Sequence, residues 1–537
     1  MSATLKCVYT DVVHKFLKKI DQKCDEYKEA LILLLVTVLL RIPNFFEPYW
    51  YGDEAIYLTI GTGLRQGLRL YTDIIDHKTP LIYYLAMVPN QFSFRLLNLG
   101  WMMVTAILFF LLAKALFKKT KLAFISALIF VLLTTLPWLE GHIPNGELFV
   151  LGFVLTGFWF IAKTALWQNF LSGRSQQALA TVPKEILLLV ASGFFFGLGV
   201  LTKVPGLLDF GVSLLLGWFS LAAVLTVQKN DWQKNLKAVW QFLVKSGWLF
   251  LGLLFPIGLS IIYFVSQGSG QDYLSYGLLY NFRYASSWQP QLTNPLLEFL
   301  FTLPGKTLIL SSILLGLSFW KKYTPRFQFI AGWFALSLFA VLLSNRPYPH
   351  YFIQLVPAFS LLLIELWQSF RVGMRKTMIL SALGLLILPL IAAGLLNLKP
   401  YLTSEYYGKF FKLITGQITQ DEYDYSFDTL VEGNYQAAEV IRGLNGHRIF
   451  IWGTNPALYA LTQTTPTSRF TVSFHIKDFQ DHLNTLEQIK REMPKLIVVM
   501  DNEPDKFPEL QRFLDLHYYP NNQYEYMTLY LLQENPR

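Results

Sequence analysis

Between residues 52 and 84 the chain reads GDEAIYLTIGTGLRQGLRLYTDIIDHKTPLIYY, setting Asp53, Glu54, Asp73, Asp76, His77 and Lys78 directly after a long apolar run. Carboxylates in such a place can take a proton or hold a metal, and a lysine beside them can meet a phosphate. A loop that merely joined two helices would need none of this. Asp53 has a plainer alternative use, because a carboxylate near a helix start accepts from free backbone N–H groups.

Further polar residues fall where other apolar segments end on the same side: Glu140, His142, Asn145 and Glu147; Lys203; Asn281, Arg283 and Tyr284; and Arg346, Tyr348, His350, Tyr351 and Gln354. Taken singly, each reads as a residue snorkelling or anchoring at a membrane end. Together they offer acids for proton abstraction or metal binding and cations for a phosphate, all beside lipid.

A membrane frame must position them. The chain of 537 residues is 53% hydrophobic and 16% aromatic but only 15% charged, which excludes an ordinary soluble enzyme. About eleven runs have the length and hydropathy of a membrane span: 29–46, 94–116, 121–138, 147–165, 186–202, 206–227, 245–266, 303–320, 327–344, 350–369 and 377–398. The fifth and sixth, parted only by Lys203, Val204 and Pro205, read either as two tilted spans or as one broken helix. Within the loop, Ala55, Ile56, Leu58, Ile60 and Leu64 are spaced for a helix lying on the membrane surface, and Pro80 is placed to begin a second over 80–88.

Positive charge orients the frame, since cytoplasmic loops keep Lys and Arg. Lys6, Lys15, Lys18, Lys19, Lys23 and Lys28 precede the first run, and every second gap is basic: Lys114, Lys118, Lys119 and Lys121; Arg174 and Lys184; Lys229, Lys234 and Lys237; Lys321, Lys322 and Arg326; Arg371, Arg375 and Lys376. This predicts a cytoplasmic segment 1–28, a transmembrane region 29–398 with an outer loop 47–93, and an extracytoplasmic 399–537, in a multi-pass protein of the plasma (inner) membrane. The same bias accounts for most of the net charge of +9, so no nucleic-acid partner is implied. The first run reads as a signal anchor rather than a cleavable signal peptide. Cys7 and Cys24 both precede it, and they suit neither a disulfide framework nor a zinc site.

Beyond 399 the composition turns polar. HRIFIWG at 447–453 and KLIVVMD at 495–501 read as buried strands, 476–493 and 507–516 as helices, and 524–532 as a third strand. The fold class is therefore an α-helical polytopic membrane protein with a small C-terminal extracytoplasmic α/β domain. Without a glycine-rich phosphate loop, binding or scaffolding suits that domain better than catalysis.

The order of Asp53-Glu54, Asp76-His77-Lys78-Thr79-Pro80 with Tyr83 and Tyr84, the Lys203 turn and the stretch 346–354 resembles the GT-C glycosyltransferases. The nearest patterns are those of protein O-mannosyltransferases and bacterial lipid A aminoarabinose transferases. The likeness covers roughly 30–398 and is strongest over 50–85. It implies an inverting transferase that moves a sugar from a polyprenyl-phosphate carrier to a protein, lipid or glycan acceptor at the outer face. Inversion needs a carboxylate to take the acceptor proton, and Asp53 is the candidate, with Glu54 orienting it and Glu147 as a second acid. Lys78, Lys203 and Arg346 are the candidate cations for the donor phosphate, while Asp76, His77, His142, Asn145, Tyr348, His350 and Tyr351 are expected to line the pocket. A divalent metal is compatible with the acids, though no ligand set specifies one. The rival readings are a polyprenyl-linked lipid flippase or transporter, which would show repeated halves and midplane charges, and a non-catalytic scaffold. No repeat is visible, and a scaffold would leave the acidic loop without a use.

Overall fold

The structure is a computed structural model describing residues 27–180, 183–227, 231–286, 288–319, 322–371, 376–444, 446 and 448–533. Cys7, Cys24 and the lysines from Lys6 to Lys23 lie outside the described residues, as do Lys229, Lys321, Arg375 and His447.

Each of the eleven apolar runs becomes helical, but not every one becomes a full straight span. Among the described residues, seven helices are long and apolar enough to cross a membrane, and two bent pairs raise the number to nine if each pair is one span. The remaining two, Thr120–Leu133 and Pro325–Val341, are shorter. The 14-residue helix Thr120–Leu133 rises only about 21 Å against a hydrocarbon core of about 30 Å. It stops there because the chain turns around buried Arg41, whose guanidinium donates to the carbonyls of Thr134 (2.8 Å) and Gly141 (2.7 Å). The run expected over 147–165 breaks by 80° between Gly146–Ile161 and Ala165–Leu171, where Thr164 accepts from the Trp167 N–H and starts a new helix. Pro295–Phe301 and Leu303–Phe319 meet at 77°.

Lys203, Val204 and Pro205 form a tight turn between two separate helices, Pro183–Thr202 and Gly206–Val227. Against the first of these packs the 35-residue helix Trp232–Ser266. Glycine permits that contact, for a Cβ at Gly252 would stand 2.1 Å from the Val190 carbonyl oxygen and one at Gly193 2.1 Å from that of Leu249.

The loop helix Gly52–Arg65 forms as its apolar spacing predicts, but it does not lie on lipid. All of residues 54–63 are buried, beneath the helix Pro456–Thr462 of the C-terminal region. Periodicity reported an apolar face without reporting that protein covers it. The second loop helix is a single short piece, Leu81–Leu85, following Pro80.

The C-terminal region carries a five-stranded sheet rather than three strands. Strands β1 (Arg448–Trp452), β2 (Thr465–Pro466), β3 (Leu496–Met500), β4 (Tyr518–Tyr524) and β5 (Met527–Leu532) run in the order β2-β1-β3-β5-β4. Strand β1 is parallel to β2 and β3, while β5 is antiparallel to β3 and β4. Two-residue β2 is too short to show a pattern, and β4 reads YYPNNQY, too polar to show a buried alternation. The helix expected over 476–493 splits into Ser473–Asp478 and His482–Glu492 about Gln480, whose φ of 54° is left-handed. Tyrosines tie this region to the first membrane helix: Tyr407 Oη donates to the Leu40 carbonyl at 2.7 Å, and Tyr406 Oη donates to Glu47.

Candidate active site

Where the loop end of the helix bundle meets the C-terminal domain, a cavity of about 600 Å³ opens. Asp53 enters it from the first turn of Gly52–Arg65 with 26% of its side chain exposed. Its carboxylate lies 3.2 Å from Lys78 Nζ and accepts from the Tyr57 hydroxyl at 3.2 Å. Lys78 also lies 3.5 Å from Asp76 Oδ2, and that oxygen accepts from the Tyr83 hydroxyl at 2.6 Å. Tyr71 fixes the backbone here by donating to the Lys78 carbonyl at 2.7 Å. Burial pushes the Asp53 carboxyl up, but the charges of Lys78, His350 and Lys203 outweigh it and hold the pKa at about 2. Burial alone would lower Lys78, yet Asp53 and Asp76 raise it above its ordinary value.

A second acid–base pair also lines the cavity, where Lys203, from the turn between two helices, donates to Glu147 in the first turn of Gly146–Ile161. The Lys203 ammonium lies 4.4 Å from the centre of the Tyr351 ring. A third pair joins Glu140 to His350 Nδ1 at 2.6 Å, with the Tyr51 hydroxyl donating to Glu140 at 2.7 Å. Tyr348 stacks on the His350 ring at 5.7 Å, and the Arg346 guanidinium lies 4.3 Å over the ring of Tyr284. The C-terminal domain closes the remaining wall with Thr454, Pro456, Phe474 and Asp478, of which Asp478 accepts from the Tyr280 hydroxyl at 2.6 Å.

No protein-family model matches the sequence, and no curated protein matches it either. Solved structures do. ArnT from Cupriavidus metallidurans bound to undecaprenyl phosphate superposes with a TM-score of 0.54 at 13% identity, covering 94% of this chain and 98% of that one. The same protein in its apo state gives a TM-score of 0.51 at 14% identity, covering 93% and 97%. The chain has the GT-C fold.

On this GT-C frame, ten of the thirteen residues expected from the sequence line the cavity: Asp53, Asp76, His77, Lys78, Glu147, Lys203, Arg346, Tyr348, His350 and Tyr351. Glu54, His142 and Asn145 do not. Consecutive residues project about 100° apart around a helix, so Glu54 must turn away from Asp53. It is buried in a fork with Arg95, at 2.9 Å to Nε and 2.8 Å to Nη2, and accepts from Gln91 at 3.0 Å. These contacts tie the loop helix to Arg95 and Gln91, and among the described residues no hydrogen bond joins Glu54 to Asp53, the acid it is expected from the sequence to orient. His142 is wholly buried against Tyr406, and burial lowers its pKa to about 3, so it is a neutral packing residue. Asn145 donates to the Glu140 carbonyl at 3.3 Å and so braces the turn that presents Glu140.

Other cavity residues carry no assigned role in the sequence reading. Glu140, Asn281, Tyr284 and Gln354 stand out there only as polar residues on one face. Asn281 donates to the His77 carbonyl at 3.0 Å, Tyr284 stacks on the His77 ring at 4.5 Å, and Gln354 donates to buried Asp209 at 2.6 Å. Tyr51 stands two residues before Asp53, a hint that its position alone carries. Thr454, Phe474 and Asp478, and His475 outside the cavity, have no sequence signal, because their place beside the loop depends on how the C-terminal domain docks. Asp53 and Glu147 are each paired with a lysine; among the described residues, the three side chains whose ligand atoms converge closely enough to hold a metal are Asp76, His77 and His475.

Proposed function

We propose that this GT-C protein is an inverting membrane glycosyltransferase that moves a sugar from a polyprenyl-phosphate carrier to an acceptor on the extracytoplasmic face. The observation that carries this reading is one cavity holding the Asp53 carboxylate within reach of Lys78, with Lys203 and Arg346 also in its lining. The acceptor hydroxyl attacks the anomeric carbon, and its proton passes to Asp53. On the opposite side the bond to the phosphate oxygen breaks, and the electron pair leaves with the carrier phosphate. Lys78, Lys203 and Arg346 stabilise that growing charge.

In the free site Lys78 and Lys203 are neutralised by Asp53, Asp76 and Glu147. A donor phosphate competes for those lysines and relieves Asp53 of its counter-charge. Its basicity then rises toward what proton abstraction needs, so donor binding itself prepares the base. The ligand of the ArnT structure, undecaprenyl phosphate, is a lipid phosphate of the class this cavity suits. We assign the wall made by Thr454, Phe474 and Asp478 to the acceptor, a hydroxyl carried by a protein, lipid or glycan.

Purified protein given a radiolabelled polyprenyl-phosphate sugar and candidate acceptors should transfer label. Asp53→Asn should lower transfer at least about 100-fold, the lower end for loss of a general base, with the fold intact. Full activity in that variant would remove Asp53 from the role of base. Movement of labelled lipid between leaflets with no glycosidic product would favour a flippase instead.

A further inference from the structure

Asp76 and His77 immediately precede Lys78, and the segment that carries them is docked on the C-terminal domain. The Ile75 N–H donates to the Arg469 carbonyl at 2.7 Å, and Ile75 pairs with Phe470 in an isolated parallel bridge. This contact brings His475, from the short helix Ser473–Asp478, against the two loop residues. Three lone-pair-bearing atoms then converge: His77 Nδ1 lies 3.0 Å from Asp76 Oδ1 and 3.1 Å from His475 Nε2, and His475 Nε2 lies 3.4 Å from Asp76 Oδ1. Asp76 and His475 are fully buried, and His77 is only 7% exposed.

Hydrogen bonding alone serves this cluster poorly. If both ring nitrogens carried protons to reach the carboxylate, they would oppose each other at 3.1 Å; if they share one proton, the carboxylate goes short. Asp76 Oδ1, shielded from solvent, accepts no hydrogen bond from any described residue. A cation resolves the conflict, because all three atoms can direct lone pairs at one point. Ligands about 2.0–2.1 Å from a tetrahedral zinc ion stand roughly 3.3–3.4 Å from each other, close to the three separations here. Two imidazoles with one carboxylate suit zinc better than calcium or magnesium, which favour oxygen donors. The surroundings also fit. Asp76 Oδ2 accepts from Tyr83 at 2.6 Å, and Asn281 holds the His77 carbonyl at 3.0 Å, which are the orienting contacts that metal ligands require.

We propose that Asp76 Oδ1, His77 Nδ1 and His475 Nε2 bind a zinc ion that staples the loop to the C-terminal domain and thereby positions Lys78 at the cavity. Three protein ligands leave a coordination position for water. The site stands on its own geometry and is independent of the transfer reaction, so the test reads metal rather than activity.

Protein in a Cys7→Ser, Cys24→Ser background, purified in detergent from zinc-supplemented cells without chelating steps, is analysed for metal by mass spectrometry. Equimolar zinc is expected. His482→Ala serves as a control, since that histidine pairs with Asp505 at 2.9 Å away from the cluster, and it should keep its zinc. His475→Phe and Asp76→Asn should lose it while eluting as folded protein. His475→Cys retains a zinc ligand and, with Co²⁺ in place of zinc, should gain a thiolate charge-transfer band that the parent protein lacks. Far-substoichiometric zinc in the parent with no equimolar uptake on titration would overturn the proposal. So would equimolar zinc in His475→Phe and Asp76→Asn, or a Co²⁺-loaded His475→Cys protein without the new band.

Discussion

Asp53 illustrates how far a single group's chemistry departs from its ordinary value. Burial raises its pKa, yet Lys78 foremost, then His350 and Lys203, bring it to about 2. A folded-state pKa below the unfolded value means that this group adds stability above pH about 4, and that the contribution fades as pH falls toward 2. In the free protein Asp53 is therefore ionised throughout the neutral range, and its protonation sets no acid limb there. Replacing Lys78 by Gln removes the largest opposing charge. The acid limb of kcat/KM should then move upward by about 1–3 pH units, the usual effect of one close opposite charge. A pH–rate profile of Lys78→Gln checks this, and an unmoved limb would show that Lys78 does not set the ionisation of Asp53.

On one helix, adjacent acids do different work. The helix Gly52–Arg65 turns Asp53 into the cavity and Glu54 into the packing against Gln91–Phe117, where Arg95 also donates to the Glu47 carbonyl at 3.2 Å. Glu54→Ala leaves a buried guanidinium with one of its two acids, Glu47 at 3.7 Å. Loss of one partner from a buried pair costs about 3–5 kcal/mol. The variant should therefore unfold at clearly lower temperature or denaturant, with activity falling in step with the folded fraction. Asp53→Asn should show the opposite division, losing transfer while its unfolding transition stays near that of the parent. Unfolding curves set beside transfer rates separate the two acids, and equal stability of Glu54→Ala and the parent would contradict the packing role.

At the scale of the whole molecule, the cavity exists only because two regions far apart in sequence close on it. The bundle supplies Asp53, Lys78, Glu147, Lys203 and Arg346, while the C-terminal domain supplies Thr454, Phe474 and Asp478. The basic gaps of the sequence predict that this domain and the cavity lie together outside the cytoplasm. Leu516 is 62% exposed in the C-terminal domain, and the Lys234 side chain is 58% exposed at the other end of the bundle. In a Cys7→Ser, Cys24→Ser background, a membrane-impermeant maleimide should label Leu516→Cys in intact spheroplasts and Lys234→Cys only after lysis. The reverse pattern would invert the topology and with it the face on which transfer is proposed.

Hydropathy and charge were enough to mark the helical membrane frame, its basic gaps and most of the polar cavity lining, because lipid imposes long apolar runs and insertion imposes a Lys and Arg bias. Local pattern could also place a helix on 52–65 and strands on 448–452 and 496–500. It could not tell that Thr120–Leu133 stops short, since that depends on Arg41 reaching across to two carbonyls distant in sequence. Nor could it tell that Glu54 turns to Arg95 instead of the cavity, since Asp53 and Glu54 are alike in type and differ only in the direction each takes from the helix axis. His475 is the extreme case: it stands 398 residues from the histidine it meets, and nothing in its neighbourhood along the chain records the contact. Chain chemistry is local, whereas a site is made where distant segments pack, so the docking of the C-terminal domain alone brought the last wall of the cavity and the Asp76, His77 and His475 cluster into being.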